Sequence, residues 1–429
     1  MAEPLRVALA GLGTVGGGVV RLLDANAELI ARRAGRRIEV VAVSARTRAR
    51  DRGFDIGRFA WADDTAALAR HEAADVVVEL IGGADGPALT LARATLAGGK
   101  HLVTANKAML AHHGLELASA AEAAGVALKF EAAVAGGVPV VKGIREGAAA
   151  NALTRVYGIL NGTCNFILSE MAASGRDFAV VLAEAQALGF AEADPSFDID
   201  GVDAAHKLAI LASLAFGTRP AFADVEAHGI RHVLAADLAE AAALGHRVRL
   251  VAVVEHGPGG LFQRVHPHLV PVDHPLAHVT GSTNAVVVEG DAVGRLLFQG
   301  PGAGDGPTAS AVVADLIDIA RGEWGTPYAM PAAALVEAVP VDSGERRARA
   351  YLRFTVVDKV GVLAEIAAAM RDAGVSIASL IQLERTDDGH VLVVIVTHEG
   401  PERCVAASLA RLRGSPSLVG QPLWMPILS

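Results

Sequence analysis

The chain reads as an α/β protein: a doubly wound parallel sheet at the N-terminal end, then an α+β domain, then a small βαββαβ unit. Three observations predict this. Up to about residue 135, short apolar runs of strand length alternate with Ala-rich helical stretches, which calls for parallel strands joined by helical crossovers. From about Pro139, helices come first and strands then follow one another, the pattern of an α+β domain with a mostly antiparallel sheet. The last stretch repeats the order strand, helix, strand, strand, helix, strand of a ferredoxin-like module. The implied domains are residues 1–135, 136–322 and 349–429, with a Pro-, Gly- and charge-rich linker over 323–348.

In the first domain, Leu5 to Ala10 is a buried strand, followed by Gly11, Gly13 and Gly16 and an amphipathic helix to about Ala34. Further strands are expected at Ile38–Ser44, Asp75–Ile81, His101–Ala105 and Val126–Glu131. The second domain should hold helices over Thr163–Ala173, Phe178–Leu188 and Val202–Phe216, then strands Arg247–Glu255, Leu261–Pro267 and Asn284–Gln299, the last broken near Gly290 and Gly294. In the third unit the strands are Tyr351–Val357, Ile377–Leu383, Gly389–Thr397 and a short one near Val419–Leu423, with helices Val362–Ala373 and Pro401–Leu412.

Composition narrows the function. The chain has 429 residues, 52% of them hydrophobic, enough for two or three cores. A net charge of -9 without any basic run excludes a nucleic-acid partner. The two cysteines, Cys164 and Cys404, lie far apart in sequence and form neither a disulfide framework nor a CxxC site. The N-terminus lacks the basic start and cleavage site of a signal peptide, and no apolar run reaches the roughly 18 residues of a membrane span. A cytoplasmic protein without membrane contact, acting on small molecules, is expected.

Gly11, Gly13 and Gly16 form GxGxxG between a strand and a helix. There the first glycine permits the turn, the second lets backbone approach a pyrophosphate, and the third allows close packing, while the helix N-terminus offers free N–H groups. A plain structural turn is the alternative. The second strand ends without the acid that would hold a ribose 2'-hydroxyl; Arg46 follows instead, with Arg48 and Arg50 behind it, which favours NADP over NAD. A solvated Arg-rich loop would look the same. Thr104, Asn106 and Lys107 fall at the carboxyl end of a strand, where open α/β sheets bind ligands; a loop-capping surface lysine is the other reading of Lys107.

The most unusual stretch is Leu188 to Lys207, in which Glu192, Asp194, Asp198, Asp200 and Asp203 precede a lysine in a chain whose cations are mostly Arg. An ammonium can share a proton near neutrality when its pKa is lowered by burial, and a guanidinium cannot, so Lys207 is the first candidate for a catalytic acid. Asp203 lies four residues earlier on the same helix face, where it could orient Lys207 or form an ordinary i,i+4 ion pair. The acids could instead bind Mg²⁺ or Ca²⁺, although the spacing is not that of an EF-hand. The histidines form no HExxH, and Cys164 reads as a buried structural thiol.

Several separate motifs in order make the whole chain resemble homoserine dehydrogenases, in the monofunctional form with a C-terminal ACT domain. They are GLGTVG at 11–16, VTANKA at 103–108, FEAAVAGGVPV at 130–140, NGTCNFIL at 161–168 and LGFAEADPSFDIDGVDAAHKLAIL at 188–211. The resemblance implies a Rossmann domain at the N-terminus and reversible reduction of L-aspartate 4-semialdehyde to L-homoserine with NADP or NAD, a step towards threonine, methionine and isoleucine. It makes Lys207 the proton donor, Lys107 a second lysine near cofactor and substrate, and Asp203 a partner in the polar network. It makes Glu192 the ligand of the substrate ammonium, with Asp198 and Thr163 as further substrate contacts.

It also implies cofactor contacts at Gly11, Gly13, Thr14, Val15, Gly16, Arg46, Thr104 and Lys107, and at Gly302 in the loop GPGAGDGPT over 300–308. A monovalent cation, sodium, would sit in the backbone carbonyls of Glu131, Val134, Gly136 and Val138. The C-terminal unit resembles an ACT domain through RFTVVDKVGVLAEIAAAM and SIASLIQ, which implies feedback by L-threonine near the first strand-to-helix loop; a purely structural dimerisation module is the alternative. Sheet edges in the middle and C-terminal domains invite pairing into a homodimer or homotetramer. Another NADP-linked amino-acid dehydrogenase, or a non-catalytic sensor of dinucleotide and amino acid, are the rival readings.

Overall fold

The computed structural model describes residues 2–257, 259–385 and 389–429. β1 (Leu5–Ala10) is central in the first sheet because its alternate faces are both apolar, Arg6 excepted. It lies between β2 (Ile38–Ser44) and β4 (Val76–Glu79); β3 (Ala60–Trp61), β5 (His101–Thr104) and β6 (Leu128–Lys129) complete a sheet of order β3-β2-β1-β4-β5-β6, parallel throughout. The chain order reverses between β1 and β4, so the crevice for a ligand opens at their carboxyl ends.

The long first helix expected from sequence is two: α1 (Thr14–Ala25) and α2 (Ala27–Ala34). Asn26 between them leaves helical geometry at φ -113° and ψ 21°, and the Asn side chain's competition for backbone groups makes it a natural break. α3 (Pro87–Ala97) and α4 (Lys107–Ala124) are the later crossovers. β6 stops at Lys129, short of Glu131, because Glu131–Ala133 winds into a 3-10 turn that leads to the short helix α5 (Val140–Lys142).

The middle domain holds β7 (Leu153–Ile159), α6 (Gly162–Ser174), α7 (Phe178–Ala187), α8 (Ser196–Ile199), α9 (Val202–Phe216), β8 (Glu226–Ala227) and α10 (Ala235–Ala243). Then come β9 (His246–Gly257), β10 (Gly260–Pro271), β11 (Thr283–Gly290) and β12 (Gly294–Pro301). Sheet order is β12-β11-β7-β9-β10-β8, antiparallel except where β8 joins β10. β7 was not foreseen; its alternation is broken, with Arg155 among Leu153, Tyr157 and Ile159 on one face and Thr154 and Gly158 beside Val156 on the other.

Helices α8 and α10 escaped the sequence reading, and so did one more after β12. α11 (Asp305–Arg321) begins in what looked like a glycine loop and carries the apolar stripe Ala309, Val312, Val313, Leu316 and Ile319. That stripe packs with Leu5, Val7, Leu9, Val19 and Val20 into the core of the first sheet. A cut at residue 322 assigns this helix to the middle domain by sequence, but in space the chain returns to the nucleotide-binding end.

The C-terminal unit has β14 (Ala350–Val357), α12 (Val362–Asp372), β15 (Ile377–Arg385), β16 (His390–Thr397), α13 (Glu402–Leu412) and β18 (Leu423–Pro426). Its antiparallel sheet runs β15-β16-β14-β18. The last strand starts at Leu423, later than the expected Val419, since Gly414, Pro416, Gly420 and Pro422 keep the preceding segment in turns. The 323–348 segment is strapped to the body: Tyr328, Ala332 and Leu335 are buried, and its end pairs as β13 (Arg347–Ala348) with β17 (Gly400–Pro401). No helix among the described residues is long and apolar enough to cross a membrane.

Buried charge joins the C-terminal unit to the middle domain. Arg353 Nε donates to Asp237 Oδ1 at 2.9 Å, and the Tyr351 hydroxyl donates to the same oxygen at 2.9 Å. Asp237 is fully buried and Arg353 nearly so. Removing one partner of such a pair strands the other charge, so Arg353→Ala is expected to lower unfolding stability by about 3–5 kcal/mol in urea denaturation, while Arg347→Ala at the surface costs about 0–1 kcal/mol.

Candidate active site

α9, the Asn161 cap of α6 and the start of α4 assemble the site. Asp203 and Lys207 are one turn apart at the buried start of α9, with 4% and 9% of their surface exposed. Lys207 Nζ donates to Asp203 Oδ2 at 2.7 Å and to the Leu160 carbonyl at 2.7 Å. Two of its three donors are thereby used and one is left to meet a ligand. Lys107, the first residue of α4, brings Nζ to 3.1 Å from the other carboxylate oxygen, Oδ1.

Asn161 caps α6 by accepting the Cys164 N–H at 2.8 Å, and its amide donates to Asp203 Oδ2 at 2.9 Å and Asp198 Oδ1 at 2.8 Å. The Thr163 hydroxyl lies 2.8 Å from the Phe190 carbonyl and 3.2 Å from Asp198 Oδ2, sharing its single proton between these two acceptors. Five residues singled out from sequence, Lys107, Thr163, Asp198, Asp203 and Lys207, thus meet in one network. Asn161 is the hub that sequence reasoning missed; the Asn-Gly pair ahead of a helical pattern was the available signal, but it announces a cap rather than a site.

Electrostatics favours ions here. Burial alone would push Asp203 up, but Lys207, Lys107 and the hydrogen bonds from Lys207 and Asn161 outweigh it and hold this carboxyl well below the usual range. Asp203 raises the pKa of Lys107, more than burial lowers it. At Lys107 a carboxylate at contact distance thus outweighs desolvation. Asp198 is shifted the other way, raised by burial and by Asp203.

The remaining acids disperse. Asp194 caps the Ser196 N–H at 3.1 Å and Asp200 pairs with Arg231. No group of three or more His, Cys, Asp or Glu side chains among the described residues converges as for a metal. Glu192 is exposed, at the rim, and close enough to Lys107 to help raise its pKa. Cys164 is buried, its thiol facing the Asp198 carbonyl and pushed far up by burial, as befits a structural residue.

At the nucleotide end, Gly11 takes φ +99°, and a Cβ there would meet the Leu80 carbonyl oxygen at 2.5 Å; one on Gly16 would meet the Gly11 carbonyl oxygen at 1.9 Å. Gly13 caps α1 without a side-chain hydrogen bond and faces open space, so the N–H groups of Thr14, Val15 and Gly16 are available to an anion. Arg46 is exposed beyond β2. Arg52 ties this loop to the glycine turn, donating to the carbonyls of Leu12 at 3.1 Å and Arg50 at 2.6 Å. Thr104 is fully buried, its hydroxyl given to Glu79 at 2.5 Å, so its side chain braces the strand end and does not face the crevice.

The 131–138 turn has two consecutive left-handed residues, Ala135 at φ +55° and Gly136 at φ +56°. Such a conformation in a buried alanine is strained, and strain of this kind concentrates at functional sites. A Cβ on Gly136 would meet the Gly302 carbonyl oxygen at 2.4 Å, so this turn and the 300–304 loop are packed backbone to backbone. The Glu131 carboxylate accepts from the Val141 and Lys142 N–H groups at 3.0 and 2.9 Å and is raised to about 7 by burial and by Asp315.

Comparison with known proteins agrees with this geometry. Family models described as homoserine dehydrogenase and homoserine dehydrogenase NAD-binding domain match residues 139–317 and 11–131, and an ACT domain model matches 350–413. The homoserine dehydrogenase of Pseudomonas aeruginosa is 46% identical over 427 residues, covering 97% of both chains. The chain belongs to the homoserine dehydrogenase family.

A crystal structure of a homoserine dehydrogenase from Thiobacillus denitrificans superimposes with a TM-score of 0.92 at 41% identity, covering 100% of this chain and 99% of that one. A hyperthermophilic archaeal homoserine dehydrogenase in complex with NADPH matches with a TM-score of 0.65 at 26% identity, covering 76% and 99%. The chain is accordingly an NAD(P)-dependent oxidoreductase with a nicotinamide-cofactor domain, a catalytic domain and an ACT domain.

Behind the lysines, His206 Nε2 lies 3.2 Å from His112 Nε2, and its ring stacks on Phe222 at 4.1 Å. Burial, with His112, lowers His206 to about 4. The unfolded chain takes up this proton first, near pH 6.5, so the folded state loses stability as pH falls from about 6.5 towards 4. Glu131, raised, acts in the opposite sense as pH rises from about 4.5 to 7. His206→Phe should therefore flatten the acid side of a plot of urea midpoint against pH, and an unchanged slope would contradict the assignment.

Proposed function

We propose that the chain catalyses the reversible NADP-linked reduction of L-aspartate 4-semialdehyde to L-homoserine, in the route to threonine, methionine and isoleucine, with NAD as a poorer cofactor. The observation that carries the site assignment is the Asp203 carboxylate clamped between Lys207 and Lys107 beside the nucleotide crevice. A bound nicotinamide would supply the hydride. As negative charge grows on the carbonyl oxygen, the free donor of Lys207 stabilises it and passes over a proton, an effect worth ~10²- to 10⁴-fold in rate. Asp203 and the Leu160 carbonyl keep Lys207 pointed, and Lys107 would span the gap between substrate and cofactor.

Glu192 would take the substrate ammonium, and Asp198, held by Asn161 and Thr163, would fix its position. The pyrophosphate would lie on Gly11, Gly13, Thr14, Val15 and Gly16, with Arg46 on the 2'-phosphate. Thr104 and Gly302 would contribute backbone only, the latter because a side chain there would strike Asn284 Oδ1. A sodium ion fits the 131–138 turn: the Val134 and Gly136 carbonyls accept no backbone hydrogen bond among the described residues, and those of Glu131 and Val138 are nearby in the same turn. Regulation by L-threonine through the ACT domain, assembly as a homodimer or homotetramer, and a cytoplasmic location complete this reading.

Lys207→Ala should retain NADPH binding near wild type, read by fluorescence, while kcat falls at least ~10²-fold; unchanged turnover would remove Lys207 from the mechanism. Lys207→Arg should fail as well, because a guanidinium keeps its proton at pH 7. Oxidation of L-homoserine should favour NADP⁺ over NAD⁺, and Arg46→Ala should narrow that preference by about 10-fold, as expected from loss of one charge-assisted contact.

A further inference from the structure

One polar contact beside the lysine network has no part in the chemistry above: a histidine of the first domain meets one of the middle domain. His112 follows Lys107 on α4, and His206 immediately precedes Lys207 on α9. We infer that His112 is a positioning residue, whose hydrogen bond with His206 latches α4 to α9 and so keeps Lys107 against Asp203. The inference rests on the catalytic reading proposed above and adds to it a residue outside the set that would touch substrate or cofactor.

The direction of that hydrogen bond follows from burial. The two Nε2 atoms are 3.2 Å apart, so one ring donates and the other accepts. His206 is 4% exposed and its Nδ1 has no hydrogen-bond partner. A bare lone pair in such a place costs less than a stranded N–H, which assigns the proton of His206 to Nε2. His206 therefore donates, and His112 accepts only while its own Nε2 is bare. A further proton, entering from solvent at the exposed His112, puts an N–H on both facing atoms and breaks the contact. Burial, with His112, lowers His206 to about 4, which leaves the buried ring as a neutral donor.

One ring connects the latch to the lysine. Phe197 of α8 stacks on His206 with centroids 5.4 Å apart, and Lys107 Nζ stands 5.8 Å from the centre of the same ring. Phe222 packs on both histidines, 4.1 Å from His206 and 4.9 Å from His112. The charged or titratable groups facing the pair are Lys107 and His113 from α4 and Asp203 from α9. His113 is engaged by Asp85, and Lys107 and Asp203 are engaged by each other at 3.1 Å. Asp198 and Asp200 of α8 are turned to Asn161 and Arg231, and Asp224 beyond Phe222 is exposed. The Lys107–Asp203 pair spans the same two helices as the latch, so opening the latch lets α4 drift and lengthens the ion pair.

The test uses the full-length chain with two substitutions at the exposed partner. His112→Ala should lower kcat for homoserine oxidation about 10-fold above neutral pH, with the KM for NADP⁺ unchanged, because a small misplacement of a reacting group is costly. His112→Gln, whose amide oxygen accepts at every pH, should restore kcat and carry the acid limb of the kcat profile to lower pH. Without turnover, acetylation of Lys107 by acetic anhydride is mapped against that of the exposed Lys359. That ratio should rise about 10-fold in His112→Ala and stay at the wild-type value in His112→Gln, since an ammonium parted from its carboxylate gives up its proton more readily. The inference is overturned if His112→Ala keeps the wild-type kcat, if His112→Gln leaves the acid limb in place, or if the Lys107 ratio is the same in all three proteins. Absence of homoserine oxidation by the unaltered chain would count against the catalytic reading, and the Lys107 ratio would then decide the latch by itself.

Discussion

Asp203 is a charged carboxylate with almost no access to solvent, and most of the molecule's architecture serves to make that tolerable. An isolated buried carboxylate would neutralise itself by taking up a proton. Here three donors from three different elements converge on its two oxygens: Lys207 from the same helix, Lys107 from the start of α4 and Asn161 from the cap of α6. Each donor is located by backbone that belongs to a different part of the fold. The first sheet delivers Lys107 at a strand end, and the middle domain delivers the others. The ion network therefore forms only when the two domains are correctly juxtaposed, and the two lysines acquire their orientation from that juxtaposition.

A second constraint acts where the domains join. The chain leaves the first sheet through the left-handed pair Ala135–Gly136 and comes back to it through the 300–304 loop and α11. A side chain on Gly136 would strike the Gly302 backbone, and one on Gly302 would strike the Asn284 side chain, so neither position has space for more than glycine. Glu131, with its carboxylate bound to two N–H groups of the next turn and its own N–H given to Asp315 of α11 at 2.9 Å, fastens the exit and the return together. The nucleotide crevice and the 131–138 turn are thereby held as one piece of backbone geometry.

The C-terminal unit docks through buried ion pairs that carry specificity as well as contact. Asp237 with Arg353 and Arg264 with Glu402 would each be costly if left half-paired, so they admit one docking arrangement and penalise others.

The sequence by itself determined the architecture and the family. The GxGxxG turn, the alternation of strands and helices, the βαββαβ order and the Asp203–Lys207 spacing are local patterns, set by residues within a few positions of one another, and the structure retains them. α11 was illegible because its opening residues, Gly304, Asp305, Gly306 and Pro307, look like a loop, and its apolar stripe makes sense only against a sheet formed nearly 300 residues earlier in the chain. Asn161 was illegible as a hub for the same reason: a cap is a local role, and the bridge from Asp198 to Asp203 exists only once α6 and α9 are side by side. Thr104 shows the converse, a local expectation redirected by a buried neighbour, Glu79. Tertiary structure alone decided which charges share a low-dielectric space, and that sharing is what separates a working ion pair from an ordinary one on a helix surface.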